Sequence, residues 1–323
     1  DKHIAVGPVD YPDDISTHVR DPKILEHDGI YYMVLGARTK DDRGCVLVYT
    51  SHDLECWKYA TRIELGEKFG FMWECPDLFE LDGELILVCC PQGVLADGWR
   101  YHNPHQCVWF RIEADWEASS FKIAGQGMPP MVDAGFDFYA PQSFADADGR
   151  RIMIGWAGCP DATAQNPTVE RGWQCALTVP RVLNMRDGKL CQWPAREVEQ
   201  LRKERVSVTA GETVGSPGRL FDAVVSCRGT KSIELEVREG VVVCFANGML
   251  TIDMGDEGYG RDKRSVELDE LYCLRVLSDV TMLEVFVNDG EVALTSRTYS
   301  SAAPAMQLRA EGDASMEFYR LAR

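Results

Sequence analysis

The chain has 323 residues, ordinary shares of apolar and charged residues, and a formal net charge of −17 at pH 7. An acidic protein of this kind is a poor partner for nucleic acids and anionic membranes, because both bind clustered lysine and arginine side chains. No apolar run approaches the length of a membrane-spanning helix, about 20 residues. The length is sufficient for a core of normal size without disulfides or metals.

Twelve cysteines are scattered along the chain without a repeated C-x-x-C spacing, which argues against a zinc ribbon. Cys89 and Cys90 lie in a strand-like apolar run, and such thiols are typical of a reducing compartment, so we expect a cytoplasmic protein. The sequence starts at Asp1 without a signal-like segment, and a missing N-terminus would leave secretion open. His102 and His105 flank a proline without a third ligand, which predicts a loop and no metal site.

One pattern recurs through the first two-thirds of the chain: a proline, an apolar residue, an Asp-Gly pair and a strand-like run. Each copy predicts two strands joined by a hairpin, since Asp-Gly favours the tight turns that join antiparallel strands. We expect each proline at the start of a strand, where no ladder donor is lost. The copies are Asp21–Leu25 with Asp28-Gly29, Cys75–Phe79 with Asp82-Gly83, Ala140–Phe144 with Asp148-Gly149 and, more weakly, Val179–Leu183 with Asp187-Gly188.

The spacing of the copies leaves room for further strands. Roughly 55 to 65 residues separate the first three prolines, and Cys45–Thr50 and Val108–Ile112 fit as additional strands. Four-stranded sheets that recur at this period predict a β-propeller. The alternative is an ordinary β-sandwich with common Asp-Gly hairpins, and the regular spacing inside each copy favours the propeller.

The repeat fades after about residue 190. Pro194–Lys203 is a polar, helix-compatible stretch that begins at a proline, which indicates a linker. Beyond it, runs such as Ser232–Val237 and Leu283–Val287 alternate polar and apolar residues, which indicates a β-sandwich. We therefore expect a partial propeller domain at 1–193, a linker at 194–205 and a β-sandwich domain at 206–323.

Acidic residues lie just before the proline in the first three copies: Asp21, Glu74 and Asp137. Because equivalent positions on successive propeller blades approach one axis, we expect these carboxyl groups to share a cavity. Glycoside hydrolysis requires two such groups, one protonated as an acid and one ionised. Crowded carboxylates push one another's pKa values apart, which would supply both states.

Several motifs in order along the chain carry a family resemblance. Arg20-Asp21-Pro22 resembles the Arg-Asp-Pro motif of glycoside hydrolase family 32, and Glu74-Cys75-Pro76 is similar to its Glu-Cys-Pro motif. Phe136–Gln142, Ile154–Trp156 and Gly172–Arg181 resemble its later segments. The order and spacing fit over the whole chain. The first two motifs together argue against sibling families of five-bladed propeller glycosidases.

The resemblance implies an all-β fold: a five-bladed β-propeller, here without its first blade, followed by a C-terminal β-sandwich. It implies that Glu74 is the general acid/base and that Asp21 stabilises the transition state. Retaining hydrolysis by carboxyl groups needs no metal, so no cofactor is expected. The substrate-binding residues that it implies are Arg20, Trp73, Asp137, Tyr139, Gln142 and Trp156.

Some of these residues have a simpler explanation. Trp73 and Trp156 would serve equally well as core residues, and Asp137 as a structural carboxylate. Asp77 lies three residues beyond Glu74 along an extended strand, so we expect it on the opposite face in a structural role.

The family's nucleophile is an aspartate in an Asn-Asp-Pro motif of the first blade, and no Asn-Asp-Pro occurs in this chain. Only 19 residues precede Arg20, whereas the motif should lie about a blade earlier. We therefore expect a truncated chain that lacks the nucleophile. Exposed blade edges would then favour self-association or pairing with the missing N-terminal segment.

The resemblance implies a retaining hydrolase that cleaves terminal β-D-fructofuranosyl residues from sucrose, sucrose-6-phosphate or fructo-oligosaccharides. The alternative is a non-catalytic carbohydrate-binding or interaction protein on a decayed hydrolase scaffold. Asp21 and Glu74 favour the hydrolase for the parent protein, and the absent nucleophile favours the alternative for this chain. The sequence does not separate the three substrates.

Overall fold

The computed structural model describes residues 4–125 and 127–322. The described residues form strands and short 3-10 helices, and none of their helices is long and apolar enough to cross a membrane. The strands of the first half are β1 Ile15–His27, β2 Ile30–Thr39, β3 Gly44–Ser51, β4 Lys58–Ile63, β5 Met72–Leu81, β6 Glu84–Gln92, β7 Val108–Asp115, β8 Ser120–Ile123, β9 Tyr139–Ala145, β10 Arg151–Trp156, β11 Arg181–Arg186 and β12 Lys189–Pro194.

The remaining elements follow residue 194 or lie in the connections. The strands of the second half are β13 Arg202–Thr209, β14 Thr213–Gly215, β15 Phe221–Ser226, β16 Ser232–Arg238, β17 Val241–Ala246, β18 Met249–Asp253, β19 Lys263–Glu267, β20 Cys273–Asp279, β21 Met282–Val287, β22 Val292–Arg297, β23 Ala305–Gln307, β24 Arg309–Glu311 and β25 Ser315–Leu321. The 3-10 helices are Pro8–Asp10, Pro167–Arg171, Arg196–Leu201, Asp256–Gly258 and Asn288–Gly290.

The chain divides into two compact units. The first consists of Asp1–Ala96, Asn103–Val132 and Tyr139–Ser143, and the second of Asp97–His102, Asp133–Phe138 and Phe144–Arg323. The domain boundaries that the sequence suggested, at 193 and 206, stay a prediction.

The first unit contains two four-stranded antiparallel sheets in which each strand pairs with the next, β1 to β4 and β5 to β8. The predicted strands Cys45–Thr50 and Val108–Ile112 fall within β3 and β7. Strand β5 packs against β1, β2 and β3. Up-and-down sheets of four strands are the blades of β-propellers, so this part of the fold agrees with the repeat seen in the sequence.

Three of the four predicted Asp-Gly hairpins have two-residue turns. Both residues have positive φ in Asp28-Gly29, Asp82-Gly83 and Asp187-Gly188, which is the type I′ geometry that Asp-Gly favours. The fourth pair, Asp148-Gly149, also lies in a turn between two neighbouring strands, but this loop is longer, since β9 ends at residue 145 and β10 starts at 151. The Asp146 side chain accepts bonds from two backbone N–H groups of this longer loop and so stabilises it.

The prediction that each proline starts its strand is wrong for Pro22 and Pro76. Pro22 and Pro76 lie inside β1 and β5, where the pairing with the next strand shifts register. Each bulge leaves the proline without a ladder partner, so its missing N–H costs nothing. The preceding residues Asp21, Cys75 and Ala140 adopt left-handed φ values of 61°, 48° and 48°.

In the second unit, the strand that ends the third copy shares one sheet with both strands of the fourth copy. Strand β10 of the third copy pairs with β11 of the fourth, with Arg151 opposite Leu183, and β11 pairs with β12. The weak fourth copy is therefore not a separate blade. It supplies two further strands to the sheet that contains β10.

The C-terminal part of the second unit is a β-sandwich, as predicted. A six-stranded sheet has the order β13-β25-β15-β20-β21-β22 and a five-stranded sheet the order β19-β18-β17-β16-β24, with β14 and β23 as a separate pair. In β16 the buried Ile233, Leu235 and Val237 alternate with Glu234 and Glu236, which are not buried. This is the pattern of a sheet with one face in the core.

Segment 133–138 runs along the edge of β22 inside the second unit. Ala134 N donates to Ala293 O at 2.8 Å, and Asp137 N donates to Thr295 O at 3.0 Å. Gly135 makes this approach possible, since a Cβ at that position would lie 2.1 Å from Thr295 O. The segment thus continues the six-stranded sheet and fixes the two aspartates at its ends.

Candidate active site

The carboxyl group of Glu74 is the centre of a polar cluster in the first unit. Arg20 Nη1 donates to Oε1 at 3.1 Å, while Gln92 Nε2 and Tyr139 Oη donate to Oε2 at 2.9 Å and 2.8 Å. The Glu74 side chain is 14 % exposed. The group is therefore held by three donors and still reaches the surface.

Asp21 lies on β1, in the other four-stranded sheet of the unit, and binds the residue that follows Glu74. Its Oδ2 accepts a bond from Cys75 N at 2.9 Å and a longer one from Cys75 Sγ at 3.5 Å. This contact joins the bulge of β1 to the bulge of β5. Asp21 is thereby held at the residue that follows Glu74, although the two residues lie far apart in the sequence.

Three donors of different kinds surround the Glu74 carboxyl group: a guanidinium, a side-chain amide and a phenol hydroxyl. Burial raises the pKa of Tyr139 well above its ordinary value, and the nearby carboxylate of Glu74 acts in the same direction. The Tyr139 hydroxyl therefore keeps its proton. Arg20 is 40 % exposed and also contacts His18 Nδ1 at 2.7 Å.

Gln142 belongs to a second polar cluster next to this one. Its Oε1 accepts a bond from Lys23 Nζ at 3.2 Å, and its Nε2 reaches Cys75 O at 3.5 Å. Lys23 also pairs with Asp77 at 3.3 Å, and Asp77 Oδ2 accepts from Ser143 N at 2.6 Å. Asp77 is buried, and these partners account for its charge as a structural group.

Trp73 lies in the core, contrary to its expected role as a wall of the sugar site. The side chain is fully buried, its Nε1 donates to Phe69 O at 2.7 Å, and its ring stacks on Phe110 with centroids 5.2 Å apart. An indole without exposed surface has no face for a sugar. Its position next to Glu74 puts it on the inner face of β5, where it anchors the strand.

Asp137 and Trp156 belong to the second unit. Both oxygens of buried Asp137 are bound by Arg261, at 2.7 Å and 2.8 Å, and Oδ2 also accepts from Arg297 N at 2.7 Å. Together with Trp156, these residues line a polar cavity of about 270 Å³. The Trp156 Nε1 is buried and has no hydrogen-bond partner among the residues that the structure describes.

Two residues that the motifs did not reveal are therefore prominent: Gln92, which contacts Glu74, and Arg261, which neutralises Asp137. Within residues 4–125 and 127–322, no group of three His, Cys, Asp or Glu side chains is placed to hold a metal ion. The arrangement in the first unit offers carboxyl chemistry, because the partly exposed carboxyl group of Glu74 precedes Cys75, whose backbone N–H binds the carboxyl group of Asp21. Glycoside hydrolases work with two such groups.

The particular family follows from comparison with known sequences. Residues 2–194 match the model of the glycosyl hydrolases family 32 N-terminal domain, and residues 197–321 match that of the glycosyl hydrolases family 32 C-terminal domain. The chain belongs to glycosyl hydrolase family 32.

Curated relatives and solved structures agree with this assignment. The chain is 35 % identical over 315 residues to a sucrose-6-phosphate hydrolase of Salmonella typhimurium, covering 92 % of this chain and 64 % of the relative. It is 32 % identical to a sucrose-6-phosphate hydrolase of Bacillus subtilis, covering 89 % of this chain and 63 % of that relative. The chain thus spans less than two-thirds of the length of these relatives.

Two solved structures illustrate the fold. The sucrose-6-phosphate hydrolase from Lactobacillus gasseri superimposes with a TM-score of 0.86 at 26 % identity, covering 99 % of this chain and 69 % of that one. A Bombyx mori GH32 β-fructofuranosidase superimposes with a TM-score of 0.84 at 29 % identity, covering 99 % of this chain and 69 % of that one. The all-β architecture of propeller-type sheets followed by a sandwich is the family's fold.

Proposed function

We propose that this chain is part of a retaining β-fructofuranosidase that hydrolyses sucrose or sucrose-6-phosphate, with Glu74 as the acid/base. The contact of Glu74 with Arg20, Gln92 and Tyr139, next to Asp21, carries the proposal. Relatives named sucrose-6-phosphate hydrolases support the substrate class.

In the proposed reaction, Glu74 first donates its proton to the glycosidic oxygen while a nucleophilic carboxylate attacks the fructosyl carbon. The glycosidic bond breaks and a fructosyl–enzyme ester forms. Glu74, now ionised, then takes a proton from water, whose oxygen attacks the same carbon and releases fructose. Asp21 stabilises the positive charge that develops on the fructosyl ring in both steps.

The nucleophile is proposed to come from outside these 323 residues, because no Asn-Asp-Pro motif occurs among them. This is also the observation that favours the second candidate, a carbohydrate-binding protein without hydrolytic activity. For either function we propose Arg20, Gln142, Asp137 and Trp156 as sugar contacts. Arg20 has the most exposed donor groups of the Glu74 cluster, and Trp156 has an unused donor.

A cytoplasmic location is proposed on the basis of the cysteines. Seven of the twelve cysteines are buried. Burial raises the pKa of Cys45 to about 12, which keeps this thiol protonated and unreactive. Buried thiols of this kind suit a reducing compartment.

The test is fructose release from sucrose and from sucrose-6-phosphate, compared between the chain, Glu74→Gln and Glu80→Gln. Glu80 is a matched control, since it lies on the same strand but is exposed. Release that is lost only in Glu74→Gln supports the hydrolase and contradicts a nucleophile outside these 323 residues. Binding of sucrose by calorimetry without release fits both the binding protein and a hydrolase that lacks its nucleophile, and release by a chain extended upstream then distinguishes the hydrolase. Neither binding nor release contradicts both functions for this chain. Sedimentation velocity on the same samples checks the expected self-association.

A further inference from the structure

Glu74 has to exist in two protonation states during the proposed reaction. It begins as an acid, becomes a carboxylate when the leaving group departs, and is protonated again by water. Yet all three of its side-chain partners donate to it in the structure. A carboxyl group surrounded only by donors would be held in the ionised form.

The three donors differ in whether they can reverse their role. The guanidinium of Arg20 has no acceptor, and Gln92 would have to turn its whole amide over to present its oxygen. A tyrosine hydroxyl both donates and accepts, so a rotation of one hydrogen is sufficient. Tyr139 is therefore the partner that can accommodate a protonated Glu74.

Reversal requires a second acceptor for the hydroxyl hydrogen, and the structure provides one. Tyr139 Oη lies 2.8 Å from Glu74 Oε2 and 3.4 Å from the backbone carbonyl oxygen of Cys90. Cys90 is paired directly opposite Glu74 in the β5–β6 ladder, which fixes this carbonyl beside the carboxyl group. The hydroxyl is thus bracketed by two acceptors.

We propose that Tyr139 is a positioning residue that acts as a two-way hydrogen-bond switch for Glu74; the proposal rests on the proposed role of Glu74. When Glu74 is ionised, the Tyr139 hydroxyl donates to Oε2. When Glu74 is protonated, Oε2–H donates to Tyr139 Oη, whose hydrogen turns to the Cys90 carbonyl. Tyr139 keeps its own proton throughout, and Gln92 remains a one-way donor that favours the carboxylate.

Other charged and titratable groups lie near Glu74. From β1 come Arg20, its neighbour His18, and Asp21, which binds the backbone after Glu74. From β2 come Gly36, which packs against the backbone of β5, and Arg38, which is paired with Asp42. Strand β3 has no charged residue. The remaining titratable neighbours are the thiols of Cys75 and Cys90 and the ring of His105, 6.1 Å from the Tyr139 ring.

The experiment is a pH titration of the Glu74 carboxyl carbon by NMR in the intact chain labelled at glutamate, with the resonance assigned by its loss in Glu74→Gln. Gln92→Met removes a one-way donor and is expected to raise the proton affinity of Glu74 about tenfold. Tyr139→Phe removes a partner of both states, so we expect a change of less than about threefold in either direction.

Equal shifts in Tyr139→Phe and Gln92→Met would overturn the proposal, because Tyr139 would then be a simple donor. No shift in Gln92→Met would also contradict it. If Tyr139→Phe does not fold, a measurement on the unmodified chain takes its place. The NMR chemical shift of the ring carbon that bears the Tyr139 hydroxyl should change with pH at the same midpoint as the Glu74 carboxyl carbon. The same ring carbon should show no such change in Glu74→Gln. A Tyr139 chemical shift that does not change at the midpoint of the Glu74 titration would contradict the proposal.

The titration does not depend on hydrolysis. A chain that releases no fructose but shows the coupled titration would remove the proposed activity and keep the switch. If the chain does hydrolyse sucrose, the switch predicts that Tyr139→Phe lowers kcat more than it raises KM, because both proton transfers by Glu74 lose a partner.

Discussion

Three residues that precede prolines have left-handed backbone angles although none of them is glycine: Asp21, Cys75 and Ala140. Such conformations cost about 1–3 kcal/mol each and persist where the surrounding structure holds them. Here the bond between Asp21 Oδ2 and Cys75 N joins two of these sites directly. The strain is therefore located at the point where Asp21 and Glu74 are positioned.

This geometry distinguishes two substitutions of Asp21. Asparagine tolerates a left-handed φ and can still accept the bond from Cys75 N, so we expect Asp21→Asn to cost about 1 kcal/mol of stability or less. Asp21→Val puts a β-branched residue at φ 61° and removes the acceptor, with an expected cost of about 2–4 kcal/mol. Urea unfolding of both variants measures the difference, and equal costs would contradict the role of the backbone angle.

At the scale of single residues, the motifs located Glu74 and Asp21 correctly in one cluster but missed Gln92. A regular hairpin extended from the Asp82-Gly83 turn would pair Glu74 with Pro91. The bulge between Glu74 and Asp77 shifts the register by one residue, so that Glu74 pairs with Cys90 instead. A bulge of this kind is not evident from alternation alone. The sequence left Trp73 open between a sugar-site wall and a core residue, because its burial depends on stacking against Phe110, which is distant from the motif.

At the scale of elements, two glycines allow β2 and β3 to pack closely against β5. A Cβ on Gly36 would lie 2.2 Å from Trp73 O, and one on Gly44 would lie 2.1 Å from the Trp73 ring. The neighbouring atoms are backbone and a fully buried indole, so they cannot move aside without displacing β5. Because Glu74 follows Trp73 on that strand, the packing also fixes the position of Glu74.

Gly36→Ala is therefore expected to destabilise the chain by about 3 kcal/mol or more. Gly66→Ala is the matched control, since Gly66 has open space around its Cα and should tolerate alanine within about 0.5 kcal/mol. Thermal and urea unfolding of the two variants provide the comparison. A Gly36→Ala variant as stable as the Gly66→Ala control would mean that β5 is not tightly packed.

The elements themselves were largely predictable, because strands and Asp-Gly turns are encoded by local alternation and turn chemistry. The assembly of the third and fourth copies was not. Their common sheet depends on the pairing of β10 with β11 across a connection that includes residues 157–180, and no local pattern encodes that partnership. The loop at Asp148-Gly149 likewise depends on side-chain bonds from Asp146.

At the scale of the larger unit, the sheet that contains β11 and the sandwich are joined by a buried ionic cluster. Arg181 is fully buried and binds Asp133 at 3.0 Å and Glu284 at 2.6 Å, with Thr295 and Gln192 as further partners. Two carboxylates face one guanidinium. Burial raises the pKa values of both Asp133 and Glu284, although Arg181 acts in the opposite direction.

The sign of the pH dependence follows from these raised values. A carboxyl group whose pKa is higher in the folded than in the unfolded protein contributes stability that is complete below the unfolded pKa, about 4. That contribution is lost as the pH rises through the folded pKa. Asp133 and Glu284 should therefore make the protein relatively more stable on mild acidification, against the trend of its exposed ion pairs.

Replacing Arg181 by methionine should make the dependence of stability on pH steeper. The variant keeps two buried carboxyl groups without their cation, so we expect it to be about 3–5 kcal/mol less stable at pH 7. The loss should shrink towards pH 5, because the pKa values of Asp133 and Glu284 rise further and protonation removes the unpaired charge. Urea unfolding at pH 7, 6 and 5 tests this, with Arg196→Met as a control for an exposed arginine that pairs with Asp148. If the loss of unfolding free energy in Arg181→Met is the same at every pH, the prediction is wrong. The two carboxyl groups would then be stabilised by their other hydrogen bonds and not by Arg181.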